Sequence, residues 1–310
     1  MTSFIDQTYT YEGSDSQAWY HKMITGAPTL DIIRIHPRVK NSTNVPNLNA
    51  NRSIGPDGCD FNAAGDITAG TRKLEVTTLS IKKEICLQDL EPIFLSQSLS
   101  DGSNEAEFLP ADFARMIMEV EERTSQAELE EMIWQGDTAG AVGNHLDYID
   151  GLRKKMLADP NVNDVTGVVL TATNIIAEIS KVVTAIPKAM KKTKKREKVG
   201  IAISIVAEEL YREALAANSP VHYYNMPLDD MLTFNGWKLF VLDGLPDDMM
   251  CFADFENIWL GTDLFEDYGD IKLIPMADTT GDDKIRIKAR FKIGVNFGVS
   301  EEVVLYDPAA

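Results

Sequence analysis

Apolar and polar residues alternate without a break over "KIRIKARFKIGVNFGV", residues 284 to 299. Ile285, Ile287, Ala289, Phe291, Ile293, Val295, Phe297 and Val299 fall on one side, and Lys284, Arg286, Lys288, Arg290 and Lys292 on the other. A period of two predicts a strand with one buried face. Continued through its glycines it spans about 53 Å, roughly three times an ordinary strand.

The longest helical pattern follows Pro110. In "ADFARMIMEVEERTSQAELEEMIWQGD" the residues Phe113, Met116, Ile117, Val120, Ala127, Met132 and Ile133 recur near helical spacing, and Gly136 is the stop. About 25 residues at 1.5 Å each make a rod of roughly 37 Å. The other positions predict an exposed face rich in carboxylates, among them Glu121, Glu122, Glu128, Glu130 and Glu131. A second helix is predicted at "TNIIAEISKVVTAIP", where Ile175, Ile179, Val182 and Ile186 share a face and Thr173 supplies a cap. After the basic run from Lys188 to Lys198, "VGIAISIVA" reads as a buried strand and "EELYREALA" as a short helix. Short strands separated by Gly, Pro and Asp turns follow.

The N-terminal quarter has no sustained period. Residues 1 to 30 are polar with isolated aromatics and predict an extended arm that needs a partner surface. Asp31 to Lys40 and Arg72 to Cys86 are β-type runs, the second with Leu79, Ile81 and Ile85 as buried positions. Pro37 restricts the first to an edge or a bulge. About thirty residues rich in Asn, Gly, Pro, Asp, Ser and Thr lie between them, a loop length that is functional or disordered in compact domains. The two runs are expected to pair as one long projecting hairpin.

Composition narrows the classes. A chain of 310 residues with 44% apolar and 25% charged residues has room for a sizeable core, and it has no run near the ~18 apolar residues of a membrane helix. The first residues lack the basic-then-apolar pattern of a secretory signal, so a cytoplasmic product is expected. Cys59, Cys86 and Cys251, like the four histidines, are scattered, and neither disulfides nor zinc are expected. The net charge of −18 argues against nonspecific adhesion to nucleic acid, so any DNA contact must be local.

Little catalytic chemistry is visible. Gly281-Asp282-Asp283 invites comparison with paired acids that hold Mg²⁺, but a polar "DTT" precedes it where an apolar strand is required. A solvated turn is the preferred reading, as it is for Asp229-Asp230 and Asp247-Asp248 beside Pro or Gly. There is no GxSxG, HExxH, GxxxxGK[ST] or strand-borne GxGxxG. No catalytic residue, metal or cofactor is expected. A metal-dependent enzyme built on Asp282 and Asp283 is the alternative from another class.

What remains is shape: a loose arm, a long hairpin, a long helix and a long strand. An elongated platform leaves arm and hairpin little of their own chain to cover them, so other subunits must do so. The order and spacing of these elements over nearly the whole chain resemble a tailed-bacteriophage major capsid protein of the Hong Kong 97 type, an α+β fold. Residues 1–30 resemble the N-terminal arm of that family and 31–75 its extended β-hairpin loop. Residues 76–159 and 266–310 resemble the peripheral domain, with 111–136 as the spine helix, and 160–265 resemble the axial domain. "WQGD" before "YIDGLRKKM" is similar to the family's exit from the spine helix.

The resemblance implies a virion shell protein that assembles in the bacterial host cytoplasm, through hexamers and pentamers, into an icosahedron around double-stranded DNA. Portal, scaffold and decoration proteins are the further partners it implies, and no membrane. A cleaved N-terminal scaffolding segment like that of some relatives is not expected. The family's best-known crosslink joins Lys to Asn; Lys40 and Asn296 have the right types, but no crosslink is predicted. The closest rival shares the fold: an encapsulin-like shell around cargo enzymes. Another virion component, for decoration or the tail, is a third reading.

Intersubunit contacts are expected at Arg34, Arg38 and Lys40, which would meet acids of a neighbour, and at Glu121 and Glu122 on the long helix. The apolar face of 284–299 is expected to pack on that helix. Its five cations are expected to meet carboxylates on adjacent strands or a neighbouring subunit, with DNA as second choice.

Overall fold

A computed structural model describes residues 9–11, 19, 22–23, 26–50, 65–86, 111–140, 143–194, 196–218, 232–263, 271–276, 280–282 and 284–308. Its strands and α-helices are β1 (Tyr9–Tyr11), α1 (Pro28–Ile32), β2 (Arg34–His36), β3 (Ser42–Ala50), β4 (Ile67–Glu75), β5 (Thr77–Cys86), α2 (Ala111–Gln135), α3 (Leu152–Leu157) and β6 (Asn163–Thr166). They continue as α4 (Ile175–Ala185), β7 (Val199–Ile203), α5 (Ile205–Asn218), β8 (Thr233–Phe234), β9 (Trp237–Val241), β10 (Met250–Asp254), β11 (Ile258–Thr262), β12 (Ile271–Pro275), β13 (Lys284–Phe297) and β14 (Val304–Asp307).

The alternating stretch forms β13, 14 residues long. β5 runs antiparallel along one side of it, from Lys284 opposite Cys86 to Ile293 opposite Thr77. On the other side β12 pairs with its first half and β11 with its second. β1 extends this sheet beyond β12, and β2 joins β11 in parallel. The apolar side chains from Ile285 to Phe297 are buried, in one core with Ile117, Met118, Leu129, Met132, Ile133 and Trp134 of α2. The strand's apolar face and the long helix therefore share a core, as the alternation predicts.

The second sheet has the order β6-β14-β10-β7-β9-β8 among the described residues. Strand alternation places it between two cores. Met250 and Phe252 of β10 face the core of α4 and α5, while Cys251 and Ala253 face that of α2. β7 is buried at every position, which explains its unbroken apolar sequence. Ile175, Ile179 and Val182 of α4, and Ile186 just after it, are buried together as predicted. Thr173 does not cap that helix: its hydroxyl bonds to Thr171, and Asn174 occupies the cap position. α5 starts three residues earlier than expected because Ser204 Oγ accepts the Ala207 N–H at 3.0 Å, a cap that extends the helix back through Ile205. β11 pairs with β13 and β14 with β10, so the two sheets exchange strands across residue 265.

The hairpin differs from expectation. Its strands are β3 and β4, in register from Ser42 opposite Glu75 to Ala50 opposite Ile67. β3 lies in sequence that reads as polar loop, because Val45 is the one buried side chain described in it and the strand carries no apolar alternation. The run from Asp31 divides into α1, with Pro28 in the first-turn position that tolerates proline, and the three-residue β2. The run from Arg72 divides at Val76, its first part in the hairpin and its second in the first sheet.

Two further expectations change at α2. Val120 is 58% exposed and Ala127 is exposed, whereas Glu121, Ser125 and Glu130 are buried. The buried stripe runs Met118, Glu121, Ser125, Leu129 and Met132, a sound helical face that includes polar positions because other elements supply their partners. The N-terminal segment also lies on its own chain where it is described. Trp19, Met23, Ala27 and Leu30 join the α2 core, and Trp19 Nε1 donates to the Met118 carbonyl at 3.1 Å.

Candidate functional site

The polar face of β13 has two halves. At its C-terminal end Gly294 lies opposite Gly261 of β11. A Cβ on Gly261 would stand 2.9 Å from Val76 and 3.0 Å from Leu74, and one on Gly294 would overlap the Glu75 carbonyl. Two facing glycines thus form a flat seat, and the end of β4 crosses the sheet on it. Leu74 and Val76 are buried there. Asn296 Nδ2 donates to the Lys73 carbonyl at 2.8 Å, and Asn47 Nδ2 of β3 to the Gly298 carbonyl at 3.3 Å. Arg72 stacks over Phe297 at 4.5 Å and bonds to Asp159 and Ser300. This half is covered by the hairpin's own root.

The N-terminal half has no such cover among the described residues. Lys284, Arg286, Lys288 and Arg290 project from it about 6.6 Å apart. Lys284 Nζ and Arg286 Nε bond to Glu84 of β5 at 2.7 and 2.8 Å. Those bonds, Lys284's before Arg286's, hold the Glu84 carboxyl below the usual carboxylate range. Lys288 lies directly opposite Lys82 on one side and Lys272 on the other, three lysines in one row across three strands. Like charges in register destabilise a strand pair. Lys82 and Lys288 make no ion pair or hydrogen bond among the described residues. Arg290 lies opposite Ser80, and Lys292, at the boundary, reaches Asp263 at 3.5 Å and the Lys40 carbonyl at 2.9 Å.

The other predicted contact residues divide. Arg34 and Lys40 border the same polar face, Arg34 with its guanidinium 4.4 Å above the Trp259 ring. Arg38 is exposed at φ +69°, a left-handed conformation that strains a residue with a Cβ and turns the chain between β2 and the hairpin. Glu121 lies beneath the sheet, where its carboxylate meets Lys83 at 2.8 Å. Glu122 accepts from Gln126 Nε2 at 3.4 Å. Neither joins the cationic face. Sequence reasoning missed Gly261, Gly294, Lys82 and Lys272; strand glycines and lone lysines carry no signal until register is known.

Asp282 is exposed and accepts the Thr280 hydroxyl at 2.8 Å, in a turn with Gly281 at φ +75°. Asp283, Asp229 and Asp230 lie outside the described residues. No cluster of three metal-ligating side chains occurs among the described residues, and no helix there is long and apolar enough to cross a membrane.

No protein-family model and no curated protein matches the chain. Solved structures do. A chain of the satellite phage P4 procapsid, which includes a size determination protein, superposes with a TM-score of 0.61 at 11% identity, over 94% of this chain and 99% of that one. A protein of Mycobacterium phage Ogopogo gives 0.56 at 12% identity, over 99% and 95%. The capsid of a native GTA particle gives 0.54 at 12% identity, over 98% and 95%. Agreement over nearly the full length of each chain gives this chain the fold of phage capsid proteins.

Proposed function

We propose that the chain is a major capsid protein of the Hong Kong 97 type, which assembles through pentameric and hexameric capsomers into an icosahedral shell around double-stranded DNA. One observation carries this reading: a two-stranded hairpin, rooted on a glycine seat, stands beside a strand pair on which Lys82 and Lys288 face each other and make no ion pair among the described residues. An isolated two-stranded hairpin is marginal in water, and the facing pair Lys82 and Lys288 is unfavourable until an anion meets it. A second copy resolves both. A chain of net charge −18 is itself the acidic partner, and head-to-tail contacts of this kind close into rings.

In this reading 1–30 is the arm, the β3–β4 hairpin the extended loop and α2 the spine helix; the sheet of β13, which takes in β2 and β11, belongs to the peripheral domain, and the sheet of β7, which takes in β14, to the axial domain. Arg34, Arg38 and Lys40 border the intersubunit contact. Acidity suits a container filled with DNA, since a lining that held phosphates tightly would resist filling. Scaffold, portal and decoration proteins are further partners of such a shell.

Electron microscopy of the purified full chain is the test. Icosahedral particles are expected, and genome-length DNA inside those recovered from infected cells. Particles that copurify with a cargo enzyme instead would replace the phage reading with the encapsulin-like one. Dispersed monomers under all assembly conditions would overturn both.

A further inference from the structure

Glu130 belongs to the carboxylate-rich helix but does not face solvent: it is 1% exposed, in the core side of α2. Its carboxylate accepts the Thr29 backbone N–H at 3.2 and 3.3 Å and also the Thr29 hydroxyl. Trp134, one turn along α2, donates its indole N–H to Thr29 Oγ1 at 2.7 Å. The turn after β9 closes the site from the other side. Gly244 lies so near the Glu130 main chain that a Cβ would overlap its carbonyl, and Gln135 Nε2 donates to the Gly244 carbonyl at 2.8 Å. Three parts of the chain meet at this one side chain.

Every one of these donors is neutral. No cation pairs with Glu130 among the described residues, and a buried charge with no counter-ion is costly. From the turn, Asp243 adds a second acid whose charge opposes ionisation of the first. On α2, Glu131 engages His145 at 2.7 Å and Glu128 is exposed; on α1, Asp31 is exposed. The N-terminal segment follows α2 through contacts at Met118, Gln126, Glu130 and Trp134, which span about 24 Å of helix. Of these four helix residues only Glu130 is ionisable.

We propose that Glu130 and Thr29 form a pH-sensitive latch that fastens the N-terminal segment to the long helix, tight when the carboxyl is protonated and loosened when it is charged. Burial first, and then the charge of Asp243, raise this carboxyl from 4.5 to about 7 against the opposing hydrogen bonds of Thr29. A raised folded value means that the closed latch binds more protons than the open one. Its contribution is fully present below the ordinary carboxylate value and is lost as pH rises through about 7. The latch goes beyond the shell reading and does not depend on it.

Hydrogen exchange read by mass spectrometry on the full chain tests it, following the backbone amides of 26–33 between pH 5.5 and 8.5 after correction for intrinsic exchange. Protection in the wild type is expected to fall by about tenfold or more with rising pH, as one-proton linkage requires. Glu130→Gln should make protection in this segment independent of pH. Asp243→Asn, on the exposed turn, should move the wild-type midpoint to lower pH without disturbing the buried site. Equal pH dependence in wild type and Glu130→Gln, or none in the wild type, would overturn the latch. If Glu130→Gln does not fold, the Asp243→Asn midpoint decides, and an unmoved midpoint overturns it.

Discussion

The two halves of the polar face of β13 begin from the same alternation and end with opposite uses. From Lys292 onward the face is taken by the chain itself: Gly261 and Gly294 admit the end of β4, and Leu74 and Val76 are buried on it. From Lys284 to Arg290 the face holds cations in lateral register with Lys82 and Lys272 and carries one described carboxylate, Glu84. The absence of a Cβ at two positions separates the half covered by the hairpin root from the half that no described residue covers. Side-chain size makes that division before charge contributes.

The largest effect is therefore expected at the seat. In Gly294→Val the new side chain would enter the space of the Glu75 carbonyl, so the hairpin root must lift or β13 must bend. Overpacking of this kind costs about 1 to 3 kcal/mol, read as a shift in the urea midpoint. Because the lifted root carries the whole hairpin, particles should be lost at temperatures where the variant chain is still folded. A variant that assembles normally would show that the covered half is not the hairpin's foundation.

The uncovered half should respond in the opposite sense, with assembly affected and folding spared. Lys82→Glu combined with Lys288→Glu puts two acids where cations faced each other, at exposed positions where stability changes within about 0.5 kcal/mol. Shell formation should fail while far-ultraviolet circular dichroism and the urea midpoint stay near wild type. If shells form as before, the row is merely solvated and the comparison collapses. If shells form but DNA retention drops, nucleic acid is the anion that the row meets.

How far these features can be read from sequence follows from where their causes lie. β13 and α4 are legible because each buries a face whose period is local, and β7 because burial at every position leaves an unbroken apolar run. The long helix is legible as an element, yet its buried side is not: Glu121 and Glu130 look solvent-facing until Lys83 and Thr29 are brought to them by the tertiary fold. β3 is illegible because its exposed polar residues obey no burial rule. The glycine seat has its signal in two lone glycines inside apolar strands, which acquires meaning only with the register that places them opposite each other. Arg34 reads as a free cation, whereas parallel pairing of β2 sets it on Trp259.

The smallest expected effect probes Glu84, the one carboxylate described on the half from Lys284 to Arg290. Glu84 is exposed, so losing its bonds to Lys284 and Arg286 in Glu84→Gln should leave the unfolding midpoint within error at moderate salt. The informative readout is assembly rate at low salt. The substitution raises the net positive charge of the row by one, so an acidic partner should meet the variant face faster than the wild type, and added salt should erase the gain. Acid should erase it too. The folded carboxyl lies below its ordinary range, so its charge is present above the ordinary value and is lost as pH falls through the folded one. In that range wild type and variant carry the same charge and should assemble alike. A rate equal to wild type at low salt and neutral pH would mean that the charge of this half does not steer the partner, and that the boundary between the two halves is one of geometry alone.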